Sequence, residues 1–144
     1  ELWRLREDIS ESIAEHQPYK NDIAVRIAQV PALLAEMDEL LQREYPDFEV
    51  LWYGHIGDGN LHINILKPAD WESAAFAKQC GTVSEHLFEA LQRYGGSISA
   101  EHGVGLTKKP YLHYTRDEAE ISYLRAIKQV FDPQGIMNPG KIFD

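Results

Sequence analysis

The order of elements in this chain predicts an α+β fold: a ferredoxin-like split β-α-β arrangement with an antiparallel sheet and an extra helix at each end. Two observations carry that prediction. Stretches with a period of two alternate with stretches of helical period, and their order inside the two outer helices is strand, helix, strand, strand, helix, strand. The chain has 144 residues, 44% of them hydrophobic, which suits one globular domain spanning residues 1–144.

Leu2, Leu5, Ile9 and Ile13 recur at helical spacing and predict a first helix, with Arg6 and Ser10 four apart on another face and Pro18 beyond its end. After Tyr19-Lys20-Asn21-Asp22, the alternation of Ile23, Val25 and Ile27 predicts a short strand. Pro31 suits a first helical turn, and Leu33, Leu34, Met37, Leu40 and Leu41 then form one apolar face before Pro46. Phe48 to Tyr53 is β-rich, Gly57-Asp58-Gly59-Asn60 is a turn, and Leu61, Ile63 and Ile65 alternate with His62 and Asn64 as a two-faced strand. Asp58 reads as a turn residue bonding its own backbone. Asp70 can cap a long helix carrying Phe76, Cys80, Val83, Leu87 and Leu91, which Gly95-Gly96 stops. Ser97 to Ala100 is a fourth strand. Thr115 and Glu118 can make a capping box for a helix bearing Ile121, Leu124, Ile127 and Val130, closed by Asp132-Pro133.

Composition excludes several function classes. No apolar run reaches the roughly 20 residues of a membrane span, and no signal peptide is recognisable, so a soluble chain is expected. With one cysteine, Cys80, neither an internal disulfide nor a multi-cysteine metal site can form, and any metal must be held by His, Asp or Glu. The formal charge is −9, and residues 1–50 hold 12 acids against 5 bases. Such a field repels phosphate backbones, which argues against a nucleic-acid partner and requires a local cationic pocket for any anionic substrate. The glycines at 54, 57 and 59 precede a strand rather than a helix, and Gly103-Val104-Gly105 lacks the spacing of a phosphate-binding loop, so nucleotide binding within the chain is not expected. Neither a Gly-x-Ser-x-Gly elbow nor a His-Glu-x-x-His helix is present.

If the spatial order is fourth, first, third, second strand, the expected layout brings Lys20, His55, His62 and Glu101-His102 to one edge of the sheet. His55 and His62 flank the glycine turn on paired strands about 4.8 Å apart, and Glu101 arrives from the fourth strand. Two imidazoles and a carboxylate would leave positions open on an ion, as in catalytic sites, and Asn64 projects from the same face as His62. The same residues admit plainer readings: hydrogen-bonded structural histidines, and Glu101 paired with Lys108 or Lys109. His16, His86 and His113 have no convergent partners.

Three segments carry a resemblance that spans nearly the whole chain. They are Tyr53-Gly-His-Ile-Gly-Asp-Gly-Asn-Leu-His62, Gly96-Ser-Ile-Ser-Ala-Glu-His-Gly-Val-Gly105 and Phe131-Asp-Pro-Gln-Gly-Ile-Met-Asn-Pro-Gly-Lys141. In this order they resemble the C-terminal domain of the FAD-linked oxidases of the vanillyl-alcohol oxidase superfamily, which includes D-lactate dehydrogenases, glycolate oxidase and D-2-hydroxyglutarate dehydrogenase. Leu2-Trp3-Arg4-Leu5-Arg6-Glu7 and Tyr19-Lys20-Asn21-Asp22 resemble the D-2-hydroxyglutarate branch most. The resemblance implies that His55, His62 and Glu101 bind a divalent metal, zinc with manganese as the alternative. It further implies that His102 is the catalytic base and that Arg6, Ser10, Lys20 and Asn64 contact the hydroxy acid, Ser10 standing where a related enzyme has Thr.

On that resemblance the chain is expected to be a fragment whose FAD-binding domain lies N-terminal to Glu1, since nothing in it supplies an FAD site. The parent enzyme would oxidise a D-2-hydroxy acid to the 2-oxo acid, and the fragment alone would be inactive. Expected partners are the small-molecule 2-hydroxy acid, the chain's own FAD-binding domain and an electron acceptor, with a homo-oligomer left open. A cytoplasmic location is expected, or one peripheral to the membrane through the electron-transfer partner. Two other classes stay open from the residues alone: a metal-dependent hydrolase, and a non-catalytic ferredoxin-like ligand-binding module.

Overall fold

The computed structural model describes residues 2–55 and 57–143; Glu1, where the predicted first helix begins, lies outside them. Three strands, β1 (Tyr19–Ala24), β2 (Glu49–His55) and β3 (Asn60–Leu66), form an antiparallel sheet in the order β1-β3-β2. Two long helices, α3 (Val30–Glu44) and α4 (Ser73–Tyr94), supply the second layer, preceded by α1 (Leu2–Glu7) and α2 (Ile9–Ser12) and followed by α5 (Glu118–Phe131). The fold is α+β as predicted.

Alternation along the strands gives the sheet two unlike faces. Ile23, Leu61, Ile63 and Ile65 are buried on one face, where Leu33, Met37 and Leu41 of α3 and Phe76, Val83, Leu87, Phe88 and Leu91 of α4 close the core. The other face is polar. Register sets Asp22, His62 and Tyr53 side by side in one row and Lys20, Asn64 and Leu51 in the next.

This register corrects the expected edge. In an antiparallel pair the start of one strand faces the end of its neighbour, so Lys20 lies beside Asn64, near the end of β3, rather than beside its start. The site residues gather on a face, not along an edge. The first strand also sits earlier than Ile23–Ile27: β1 begins at Tyr19, and Ile27 falls in a 3-10 turn, Ile27–Gln29. Pairing with β3 sets its extent, and Asn21 and Asp22 are buried within it although their polarity suggests a loop.

The expected fourth strand is reduced to one bridge, in which Ala24 and Ser97 exchange both backbone hydrogen bonds beside β1. Beyond it the Ser97 hydroxyl donates to the carbonyl of Ser99 (2.8 Å) and the Ser99 hydroxyl to that of Gly103 (2.9 Å), local bonds that compete with a ladder.

The first helix is broken. α1 and α2 are followed by a 3-10 turn, Ala14–His16, and of the apolar stripe only Ile13 is buried, Leu2 and Leu5 being 83% and 74% exposed. Without a packing partner a short helix has little to hold it continuous. Two caps lie two residues later than expected. Glu72, not Asp70, caps α4 by accepting from the N–H groups of Ala74 and Ala75, and the capping box of α5 is Asp117 with Glu120. Thr115 is engaged elsewhere, its hydroxyl accepting from the N–H of Ile98. α5 buries no residue at all. Among the described residues no helix is long and apolar enough to cross a membrane.

These layers predict unequal sensitivities. Phe88→Ala, emptying the core between α4 and the sheet, should cost about 3–5 kcal/mol by urea unfolding of this chain, whereas Val130→Ala on α5 should stay within about 0.5 kcal/mol.

Candidate active site

The polar face forms the floor of a cavity of about 280 Å³. His62 occupies its centre, with its side chain 11% exposed. Its ring lies 5.1 Å from that of Tyr53, 5.4 Å from that of His55 and 5.9 Å from that of His102, centroid to centroid. Its two nitrogens face different carboxylates: Nδ1 is 3.4 Å from Asp22 Oδ1 and Nε2 is 3.3 Å from Glu101 Oε1. The same Glu101 oxygen is 3.9 Å from His55 Nε2. Burial pulls the His62 pKa down, and this, helped by His55 and Arg6, prevails over the opposing pull of Asp22 and Glu101; the ring is held below its ordinary value, toward the neutral form that ligates metals.

The hairpin that carries both histidines depends on Gly59, whose φ of 75° is unfavourable for other residues. A Cβ there would also collide with the carbonyl of Val25, whose own N–H donates to Gly59. Asp58 Oδ1 accepts from the N–H of Asn60 and closes the turn, as expected.

Glu101 and His102 reach the site because the chain leaves strand geometry. In a regular strand successive N–H groups point opposite ways, yet both of theirs donate to Asp22 Oδ2, at 2.9 and 3.0 Å. Gly103, at φ 78°, then turns the chain away. Asp22 is 1% exposed, and its Oδ1 accepts from the Asn60 amide at 2.7 Å. Burial raises the pKa of this carboxyl, but the bonds from Glu101, His102 and Asn60 outweigh it and hold the group below the usual carboxylate range. Lys108, also buried, donates from Nζ to the carbonyl of Asp22, and Lys109 donates to that of Gly140. The Glu101 carboxylate faces histidines, not these lysines.

From above the sheet, Arg6 Nη2 lies 3.3 Å from His55 Nε2, and the guanidinium sits 4.8 Å from the centre of the Tyr53 ring. Ser10 Oγ is 2.7 Å from the Tyr53 hydroxyl. Lys20 and Asn64 complete the wall. Asn64 is 1% exposed, and among the described residues neither its amide nitrogen nor its oxygen has a hydrogen-bond partner. Each such orphan costs about 1–3 kcal/mol unless something fills its bonds.

Arg6, Ser10, Lys20, His55, His62, Asn64, Glu101 and His102, singled out in the sequence, thus share one cavity. Sequence reasoning missed Asp22 and Tyr53. The signal for each was a strand period: both stand two residues from a recognised wall residue, Lys20 and His55, on the same face. Cys80 is in the core, where burial pushes its thiol up to about 12 and leaves no thiolate for chemistry.

The donor set suits a divalent ion. Ligand atoms about 2.0–2.2 Å from a tetrahedral ion stand about 3.3–3.6 Å apart, close to the spacing of Glu101 Oε1 from the two Nε2 atoms. The ligand atoms that all lie within 4.8 Å of one another belong to an overlapping set, Asp22, His62, Glu101 and His102, which has Asp22 and His102 in place of His55. Asp22 is the weaker donor of the two sets because its oxygens already accept the bonds described.

The model of the FAD linked oxidases, C-terminal domain, matches residues 1–142. The chain is 60% identical over 142 residues to the D-2-hydroxyglutarate dehydrogenase of Stutzerimonas stutzeri (strain A1501), covering 99% of this chain and 31% of that protein. It is 57% identical over 144 residues to the protein of the same name from Xanthomonas citri pv. viticola, covering 100% and 30%. The mitochondrial D-2-hydroxyglutarate dehydrogenase of Danio rerio is 37% identical over 142 residues, covering 97% and 25%. The chain therefore spans about a third or less of the length of these relatives. With a match that runs through both histidines, the Glu101-His102 segment and the whole sheet, the chain belongs to the family of FAD-linked oxidase C-terminal domains.

Proposed function

We propose that this chain is the substrate- and metal-binding domain of a flavin-dependent dehydrogenase that oxidises a D-2-hydroxy acid, foremost D-2-hydroxyglutarate, to the 2-oxo acid. The observation that carries the reading is the composition of one cavity wall: two imidazoles sharing a carboxylate oxygen, cations at Arg6 and Lys20, and the unpartnered amide of Asn64. The names of the relatives support the same substrate.

His55, His62 and Glu101 would hold a divalent ion, zinc or manganese, which when bound supplies Lewis-acid polarisation of substrate oxygens. A separate domain of the full-length protein would mainly hold FAD, which when bound would supply the acceptor for the C2 hydride, a further acceptor taking the electrons. This chain's own side chains do the rest. Arg6 and Lys20 bind carboxylate groups of the hydroxy acid and provide the local positive charge that a surface of net charge −9 lacks. Asn64 satisfies its two buried atoms on substrate oxygens, and Ser10, held against Tyr53, adds a hydroxyl. His102 accepts the proton of the C2 hydroxyl; its Nδ1 lies 3.8 Å from Asp22 Oδ2, which leaves Nε2 as the accepting atom.

In the full-length enzyme, His62→Ala and His55→Ala should lose metal and activity together, by metal analysis beside steady-state kinetics. His102→Ala should keep its metal while kcat falls about 10²–10⁴-fold. Loss of metal in His102→Ala would make it a ligand instead of the base.

Arg6→Ala should raise KM for the hydroxy acid by removing a charge-assisted bond worth about 1.5–3 kcal/mol, roughly 10- to 150-fold. An unchanged KM would reduce Arg6 to a solvated helix charge.

A further inference from the structure

The site rests on a carboxylate that the proposed chemistry does not use. Asp22 is buried in the middle of β1, opposite His62 in register, and each of its two oxygens has two or more polar neighbours. Oδ2 accepts from the backbone N–H groups of Glu101 and His102, and Oδ1 accepts from Asn60 Nδ2 at 2.7 Å while facing His62 Nδ1 at 3.4 Å. The Asn60 amide is fixed in that orientation, because its Nδ2 also donates to the carbonyl of Ile23 at 2.9 Å. Around the ring of His62, Asp22 Oδ1 faces Nδ1 at 3.4 Å and Glu101 Oε1 faces Nε2 at 3.3 Å.

We propose that Asp22 is a positioning residue for the metal centre: it holds His62 as the Nδ1–H tautomer, leaving Nε2 free as a ligand atom, and through Oδ2 it anchors the backbone that delivers Glu101. The inference rests on the metal-binding reading above. An imidazole that donates from one nitrogen to a carboxylate is fixed in orientation and is the stronger base at the other. A neutral amide at position 22 could not replace the carboxylate. It has one accepting atom, so it could serve either the N–H pair of Glu101 and His102 or the Asn60 and His62 side, and its NH₂ would meet donors on the other. Serving the backbone pair would set that NH₂ against His62 Nδ1, which must then accept, moving the proton to Nε2 and blocking the ligand atom.

The test uses the full-length protein, stripped of metal and titrated with zinc against a chelating dye. Wild type should bind about one ion, and Asp22→Asn should bind it about 10–100-fold more weakly while melting as a folded protein. Binding within about twofold of wild type overturns the inference, and so does a variant that melts earlier yet binds equally, since Asp22 would then serve the fold alone. If wild type itself binds no zinc, the metal reading fails and this inference falls with it. A second measurement needs no variant and decides the matter if Asp22→Asn does not fold. In metal-free wild type labelled with ¹⁵N-histidine, long-range proton–nitrogen correlations should show His62, assigned by its loss in His62→Gln, as the Nδ1–H tautomer; an Nε2–H ring overturns the assignment.

Discussion

Side chains on β1, β2 and β3 alternate between a face that α3 and α4 cover and a face that they leave bare, and this alternation governs the rest of the molecule. The covered face takes Ile23, Leu61, Ile63 and Ile65 into the core, so the intervening positions are free to be polar. Three strands in antiparallel register then put Lys20, Asp22, Tyr53, His62 and Asn64 into two adjacent rows. Such a row spans about 10 Å, two strand spacings. The helices build the platform, and the chemistry stands on the side they do not touch.

Electrostatics works against the whole and for the part. The chain carries −9 overall, yet Arg6 and Lys20 line the cavity, the Asp22 carboxylate just beneath is capped by three donors, and the buried Lys108 donates to the same residue's backbone carbonyl. The acidic groups at the site thus either have their oxygens satisfied by hydrogen bonds, like Asp22, or, like Glu101, are turned toward imidazoles. Among the groups nearest the floor, Asn64 stands out because it is buried and has no hydrogen-bond partner among the described residues. Unsatisfied amides are uncommon in interiors, and this one belongs to a residue that lines the cavity.

The sequence revealed the site more readily than it revealed the elements that hold it. His55, His62 and the Glu101-His102 pair are conspicuous residue types beside glycine turns, and their gathering could be anticipated even though the edge geometry used to reach it was wrong. Asp22 was hidden because its role is register-dependent: only the pairing of β1 with β3 shows that it lies opposite His62. The core faces of α3 and α4 were plain from Leu33-Met37-Leu41 and Phe76-Cys80-Val83-Leu87, where burial is periodic. An apolar stripe at helical spacing reports a tendency, and of this stripe Ile13 alone is buried while Leu2 and Leu5 are exposed, which leaves the first helix broken. The capping residues slipped by two because Thr115 and Asp117 are equally good by type, and the choice between them was made by the tertiary bond from Ile98 to Thr115.

The pair of backbone N–H groups on Asp22 has a consequence for motion. Glu101 and His102 have exposed side chains, 54% and 59%, on a segment with almost no ladder, where rapid local opening would be ordinary. Their amides, however, close on a carboxylate that is itself inside the sheet, so the segment cannot lift without leaving a buried anion stripped of two of its donors. Opening there is tied to disruption of β1 rather than to loop fraying, and solvent exchange at these two amides should be slow in company with the core. A surface that looks like a loop thereby keeps time with the sheet, and its exposed side chains stay in place with it.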